Sequence, residues 1–187
     1  MRHKRCDNLS RHARKKRGSN RRMLRCALTF ALLACMFNAS AVSASERGQV
    51  TNLPLPRYVS LKADEGNVRR GPSLSHRIDW VFTRRNMPLQ VTGEYGHWRR
   101  VEDRDGQGGW VHYSLLSGVR HVIVDADLAP LRMKPDSEAA VAAYAEAGVV
   151  ARLQDCTANW CRISADGSKG WVEKRAIWGV APSEIRD

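Results

Sequence analysis

The stretch His97-Trp-Arg-Arg-Val-Glu-Asp-Arg-Asp-Gly-Gln-Gly-Gly-Trp-Val111 recurs near the C-terminus as Asn159-Trp-Cys-Arg-Ile-Ser-Ala-Asp-Gly-Ser-Lys-Gly-Trp-Val172. Trp98 aligns with Trp160, and Val101 with Ile163. One residue is then deleted, after which Gly109-Trp110-Val111 aligns with Gly170-Trp171-Val172 and Gly118 with Gly179. Two copies about sixty residues apart, with the same strand-turn-strand chemistry, describe one small fold built twice. Tryptophan, glycine and turn residues repeat; no nucleophile, base or metal ligand repeats with them.

The flanking residues extend each copy. In the first, Tyr58 to Leu61 is β-prone, and Ile78, Trp80 and Phe82 alternate, which places large apolar groups on one face of a strand. Leu89 and Val91 begin the next strand, Glu94 to His97 is a tight turn, and Asp105 to Gly109 is a second, glycine-rich turn. Ser114 to Ser117 reads as a single helical turn. Many short strands with this punctuation predict a small all-β barrel. In the second copy, Ala139 to Ala147 is rich in alanine and glutamate, which favour helix. The alignment nevertheless lays it over Ile78 to Phe82, and Val141, Ala143 and Ala145 alternate, so a strand is expected. The first domain is placed at 57–119, the second at 120–182 and a tail at 183–187. Residues 45–56 form a linker, and their Leu53-Pro-Leu-Pro56 favours a stiff extended lead-in.

Residues 1–44 read as a leader. Of 31 Lys and Arg and 19 Asp and Glu, eleven basic residues and one acid lie in 1–25, so the rest of the chain carries 20 against 18, a net of +2. That near-neutral body lacks the field that binding to a phosphate backbone exploits, which argues against nucleic acid as a partner. Leu24 to Phe37 is an apolar run shorter than the roughly 20 residues of a membrane span. Val42-Ser43-Ala44 then suits signal-peptide cleavage after Ala44, and Ala39-Ser40-Ala41 is a second choice. Met23 is an alternative start, Arg21-Arg22 a faint twin-arginine pair, and Leu32 to Cys35 a weak lipoprotein box. The reading is of a periplasmic chain with no transmembrane span in its mature part. Cys6, Cys26 and Cys35 leave with the leader, and Cys156 and Cys161 remain, an even number in an oxidising compartment.

The run Ser60-Leu-Lys-Ala-Asp-Glu-Gly-Asn-Val-Arg-Arg-Gly-Pro-Ser73, followed by the Trp98 strand and Gly109-Trp-Val111, resembles a bacterial Src-homology-3-like (SH3-like) domain. The second copy resembles the variant with a cysteine pair around a tryptophan. The resemblance covers about 57–181 as a tandem pair. It implies a five-stranded barrel in each half, an exported protein of a Gram-negative envelope, and a non-catalytic binding or accessory role. Pro130-Leu-Arg-Met-Lys-Pro135 lacks the glycine of the Asn67–Ser73 box, which leaves the geometry of that turn open.

Four residues between Cys156 and Cys161 on a predicted hairpin bring opposed positions within disulfide range. Zinc would need four ligands, and no further pair lies nearby in sequence. The corresponding pair in the first copy, Glu94 and Arg99, is a candidate ion pair. Trp110 and Trp171 recur at one place and read as packing, whereas Trp98 and Trp160 flank turns and are expected half-exposed. The candidate ligand groove in the first copy is Tyr95, Trp98 and Tyr113, with Arg70 from a basic face of paired arginines (Arg69-Arg70, Arg84-Arg85, Arg99-Arg100). His97, His112 and His121 are scattered, Asp103 and Asp105 belong to a charged turn, and no cofactor or catalytic constellation is expected. The functional expectation is a protein that binds a cell-wall peptide or an envelope protein. The alternative is an accessory that docks to an envelope enzyme or assembly without wall affinity; an enzyme with a dispersed site is a third reading.

Overall fold

The computed structural model describes residues 46–187. The Ala44 cleavage position, Met23 and Cys35 lie outside the described residues. A two-strand ladder of β1 (Glu46–Arg47) and β2 (Pro54–Leu55) opens the described part. The first repeat contributes β3 (Arg57–Leu61), β4 (Gly66–Arg69), β5 (Ile78–Phe82), β6 (Pro88–Tyr95), β7 (Trp98–Glu102), β8 (Gly108–His112) and β9 (Leu116–Ser117). The second contributes β10 (His121–Val124), β11 (Leu128–Arg132), β12 (Val141–Glu146), β13 (Val150–Cys156), β14 (Trp160–Ala165), β15 (Ser168–Glu173) and β16 (Ile177–Trp178). Each repeat forms one seven-stranded antiparallel sheet, ordered β5-β4-β8-β7-β6-β3-β9 and β12-β11-β15-β14-β13-β10-β16. The two orders are identical strand for strand, so the sequence repeat is a repeat of topology.

Each sheet has seven strands where the resemblance implied five. The additions include β9 and β16, which short 3-10 turns at Tyr113–Leu115 and Lys174–Ala176 deliver onto the first strand of each sheet. No helix among the described residues is long and apolar enough to cross a membrane. The alanine-rich segment is a strand: β12 pairs with β11 along its length, and Ala143 and Ala145 turn inward. Tertiary pairing overrides the helical propensity of its residues.

The repeats have separate cores, one built on Leu61, Val68, Leu89, Val91, Val101 and Val111, the other on Val122, Val124, Leu131, Ile163 and Val172. Of Ile78, Trp80 and Phe82 only Phe82 is buried; β5 is an edge strand, and Trp80 has 47% of its surface exposed. The packing of the recurring tryptophans differs from expectation. Trp110 and Trp171 are half-buried on the outer face, because strand alternation gives the inward position to Val111 and Val172. The recurring glycine beside them has a steric cause. A Cβ on Gly109 would lie 2.8 Å from the Arg69 carbonyl oxygen, and one on Gly170 would lie 2.8 Å from the Leu131 Cβ.

The turn without its glycine keeps the hydrogen bonds of the turn that has it. Arg70, Ser73 and His76 N–H donate to the carbonyls of Arg77, Gly71 and Ser73; Met133, Asp136 and Ala139 N–H donate to Ala140, Lys134 and Asp136. Arg69 clamps the first loop through the His76 carbonyl at 2.6 Å, and Arg132 clamps the second through Ala139 at 2.6 Å. A Cβ on Gly71 would lie 2.4 Å from the His76 ring. In the second repeat alanine replaces that histidine, which leaves room for the Lys134 side chain.

A polar and aromatic seam joins the repeats. Tyr58 meets Trp178 edge to face at 5.3 Å, and the Arg120 guanidinium lies 5.5 Å from the Tyr58 ring centre. Buried Ser60 Oγ accepts the His121 N–H at 3.1 Å and lies 3.0 Å from His121 Nδ1. Arg84 donates to the Gly148 carbonyl at 2.9 Å.

Cys156 and Cys161 are disulfide-bonded, with Cα atoms 4.1 Å apart at opposed positions of β13 and β14. The closed loop is short, so the bond contributes about 2 kcal/mol. Cys156→Ser is expected to lower the melting temperature and leave the β signature of the circular dichroism spectrum intact; identical melting of oxidised and reduced protein would contradict this.

Candidate binding surfaces at the hairpin ends

In each repeat the tip of the β6–β7 or β13–β14 hairpin lies beside the 3-10 turn. His97 carbonyl accepts the Tyr113 N–H at 2.9 Å, and Asn159 carbonyl accepts the Lys174 N–H at 2.9 Å. One backbone contact, made twice, therefore brings the hairpin tryptophan next to the residues that follow the Trp-Val pair. The repeat alignment sets His97, His112 and Tyr113 over Asn159, Glu173 and Lys174.

On the first repeat this yields a cluster of rings. Trp98 is 9% exposed and lies beneath His112, edge to face at 5.5 Å. His112 stands 4.9 Å from Tyr113 and 5.9 Å from His97. The structure thus brings together Trp98, Tyr113 and two histidines that are fifteen positions apart in sequence. Tyr95 pairs with Trp98 across the hairpin and is 62% exposed. Trp98 forms the floor of this surface, where the sequence pointed to a half-exposed ring. Arg70 is not part of it: its Nε donates to Asp79 at 3.0 Å in the β4–β5 region.

The other arginine pairs also separate. Arg85 lies 3.6 Å from Asp64, Arg84 reaches Gly148, and Arg99 is buried against the Gly96 and Trp98 carbonyls. Arg84, Arg85 and Arg99 thus have separate partners. Asp103 accepts the Asp105 and Gln107 N–H groups at 3.0 and 2.8 Å and so shapes its turn.

On the second repeat the same place opens into grooves on either side of Trp160. One, of about 650 Å³, runs between Trp160, Lys174, Pro182 and Tyr58 of the first repeat. The other, of about 350 Å³, runs past Leu128, Pro130 and Arg175. Trp160 lines both. Glu173 and Arg175 form an ion pair at the rim. Lys174 Nζ donates to the Pro182 carbonyl at 3.0 Å and the Glu184 carbonyl at 2.5 Å. The C-terminal tail is fixed against this wall, since Arg186 exchanges backbone hydrogen bonds with Cys156 at 2.7 and 3.0 Å and Glu184 pairs with Arg120 at 2.9 Å. Sequence reasoning placed the ligand surface on the first repeat and missed these grooves. The repeat alignment carried the signal, because it puts Trp160 where Trp98 stands.

Two Ser–His contacts occur. Ser114 Oγ lies 2.7 Å from His112 Nδ1, two residues away, where the histidine caps the 3-10 turn. Ser60–His121 is buried in the seam. Among the described residues neither histidine has a carboxylate hydrogen-bonded to its other ring nitrogen, and no cluster of three metal-ligating side chains occurs.

The chain belongs to the bacterial SH3 domain family, whose model matches residues 62–118 and 125–179. Over 139 residues it is 27% identical to the Bacillus subtilis (strain 168) protein named "Putative N-acetylmuramoyl-L-alanine amidase YrvJ", an alignment that takes in 68% of this chain. It covers 26% of that protein, so the chain spans about a quarter of its relative's length. NlpC1 and NlpC2 of Trichomonas vaginalis each superpose with a TM-score of 0.32 at 14% identity. These matches cover 73% of this chain and 48% of NlpC1, and 65% and 47% for NlpC2, and the superpositions are too loose to inform fold or function.

Proposed function

We propose that this chain is an exported, non-catalytic protein of the bacterial envelope that binds a cell-wall peptide through the hairpin-end grooves. The leader-like first 44 residues support export, and membership of the bacterial SH3 domain family supports a wall ligand. The observation that carries the reading is the grooved surface around Trp160. An indole lines two adjoining channels, so an extended peptide can lie across its ring. Rim charges of both signs, Glu173 and Arg175, suit a ligand with both amine and carboxylate groups. The ring cluster of Tyr95, Trp98 and Tyr113 offers a second contact surface on the first repeat.

The test is cosedimentation of the mature chain with purified sacculi. Trp160→Ala is expected to weaken binding about tenfold, the usual effect of removing an aromatic anchor, with an unchanged melting temperature. Equal binding by the variant would remove Trp160 from the site. Release of soluble wall fragments by the wild-type chain would revive the enzymatic reading. The alternative of an accessory that docks to an envelope enzyme draws support from the amidase-named relative, which is much longer than the region matched. That reading predicts no cosedimentation and a defined protein adduct on crosslinking in the intact envelope.

A further inference from the structure

The corresponding edges of the two sheets carry opposite charge. Strand β5 ends the first sheet and β12 ends the second, and among the described residues neither has a partner on its outer side. Such edges present unpaired backbone donors and acceptors to any strand that approaches. The charged residues at the two ends of β5 are Arg77 before it and Arg84 and Arg85 after it; within it lies Asp79, already engaged by Arg70 and Arg77. The charges at the ends of β12 are Asp136 and Glu138 before it and Glu146 at its close, with Lys134 further back. No basic residue falls between 135 and 151. Four arginines (70, 77, 84 and 85) thus outweigh the two carboxylates they meet, Asp79 and Asp64, at the first edge, whereas the other edge is acidic at both ends.

Side-chain size differs in the same complementary sense. Strand β5 offers Ile78, Trp80 and Phe82, with Ile78 and Trp80 exposed. The corresponding positions of β12 are Val141, Ala143 and Ala145, beside an exposed Tyr144. One edge is therefore bulky and the other shallow, and neither strand contains the lysine or proline that commonly protects an edge.

We propose that β5 of one copy of this chain pairs with β12 of a second copy, extending one sheet into the other. Parallel and antiparallel alignments both set the arginines of β5 against the acids of β12. Pairing β5 with β5, or β12 with β12, sets like charges together in either direction, so the charge pattern selects the unlike edges. The partner is thus a second copy joined through different surfaces of each chain.

Sedimentation velocity on the purified, disulfide-bonded mature chain tests this. Association is expected at about 100 µM protein in low salt. It is expected to weaken at least tenfold at about 1 M salt, where charges are screened within about 3 Å. Two variants decide the mechanism: one carries R77E and R85E, the other E138R and E146R. Each alone is expected to be monomeric with an unchanged melting temperature, and an equimolar mixture to associate, because each then offers the edge that the other lacks. A wild-type chain that stays monomeric, reversal variants that associate alone, or a mixture that stays monomeric would each overturn the proposal.

Discussion

Purified protein carrying Gly170→Val is expected to melt roughly 10 °C below the wild type, the effect of about 3 kcal/mol of overpacking in a domain of this size. Gly170 is buried where β15 crosses β11. Its missing Cβ would lie 2.8 Å from the Leu131 Cβ, 2.9 Å from the Leu131 carbonyl carbon and 3.0 Å from the Arg132 carbonyl oxygen. Two of these three are backbone atoms of a paired strand, and they move only if the ladder opens. Space and not backbone angle excludes the side chain, so Gly118→Ala serves as the control. A Cβ on Gly118 would meet nothing within 4 Å, and its φ is not left-handed, so its change is expected to stay within about 0.5 kcal/mol. Thermal unfolding followed by circular dichroism distinguishes the two. Equal melting of Gly170→Val and wild type would contradict the packing described for both repeats.

Glu94→Ala is expected to cost about 3 kcal/mol, as removal of one member of a buried charge network does. Glu94 stands where the second repeat has Cys156. Its carboxylate is fully buried and accepts from the Val50 and Thr51 N–H groups at 3.0 and 2.9 Å and from the Thr51 hydroxyl at 2.7 Å. Arg57 donates to it at 2.6 Å, and Arg99 lies at 3.5 Å, so the ion pair read from sequence exists but is the weaker of two. One carboxylate thus fastens the lead-in segment to the first repeat, much as the disulfide closes the same hairpin position in the second. Burial alone would raise its pKa, but the hydrogen bonds from Thr51, Arg57 and Val50 together outweigh burial and lower it from 4.5 to about 2. Between these values the unfolded chain binds the proton that the folded chain refuses. The contribution to stability is therefore complete above pH 4.5 and is lost as pH falls towards 2. Melting temperatures measured from pH 6 to pH 2 should fall more steeply for the wild type than for Glu94→Gln. Parallel curves would show that the carboxylate does not hold the segment.

The twofold plan was legible in the sequence because its determinants are local. A glycine admits the neighbouring strand, the next residue faces out, and the valine after it fills the core; this triplet survives in both copies. Alternation alone left open which of Trp110 and Val111 faces inward, since both are apolar. The segment around Val141 was readable as strand through its alignment with Ile78 to Phe82 and the alternation of Val141, Ala143 and Ala145. The Glu94 fastening joins residues more than forty positions apart, and nothing local to Val50 and Thr51 announces it. The histidines 97 and 112 meet across a hairpin and a turn. The larger groove borrows Tyr58 from the other repeat, so its shape depends on a seam that no single stretch encodes. Its tryptophan was in view throughout, and its neighbours were not.

The proposed function requires a ligand that lies across Trp160. Amide chemical-shift perturbation of an isotope-labelled chain of residues 45–187, titrated with soluble wall peptide, tests this most directly. The predicted result is saturable shifts centred on Asn159, Trp160 and residues 173–175, with smaller shifts around Trp98 and Tyr113. Saturable shifts that leave Trp160 and its neighbours untouched, or no shifts at millimolar peptide, would contradict it.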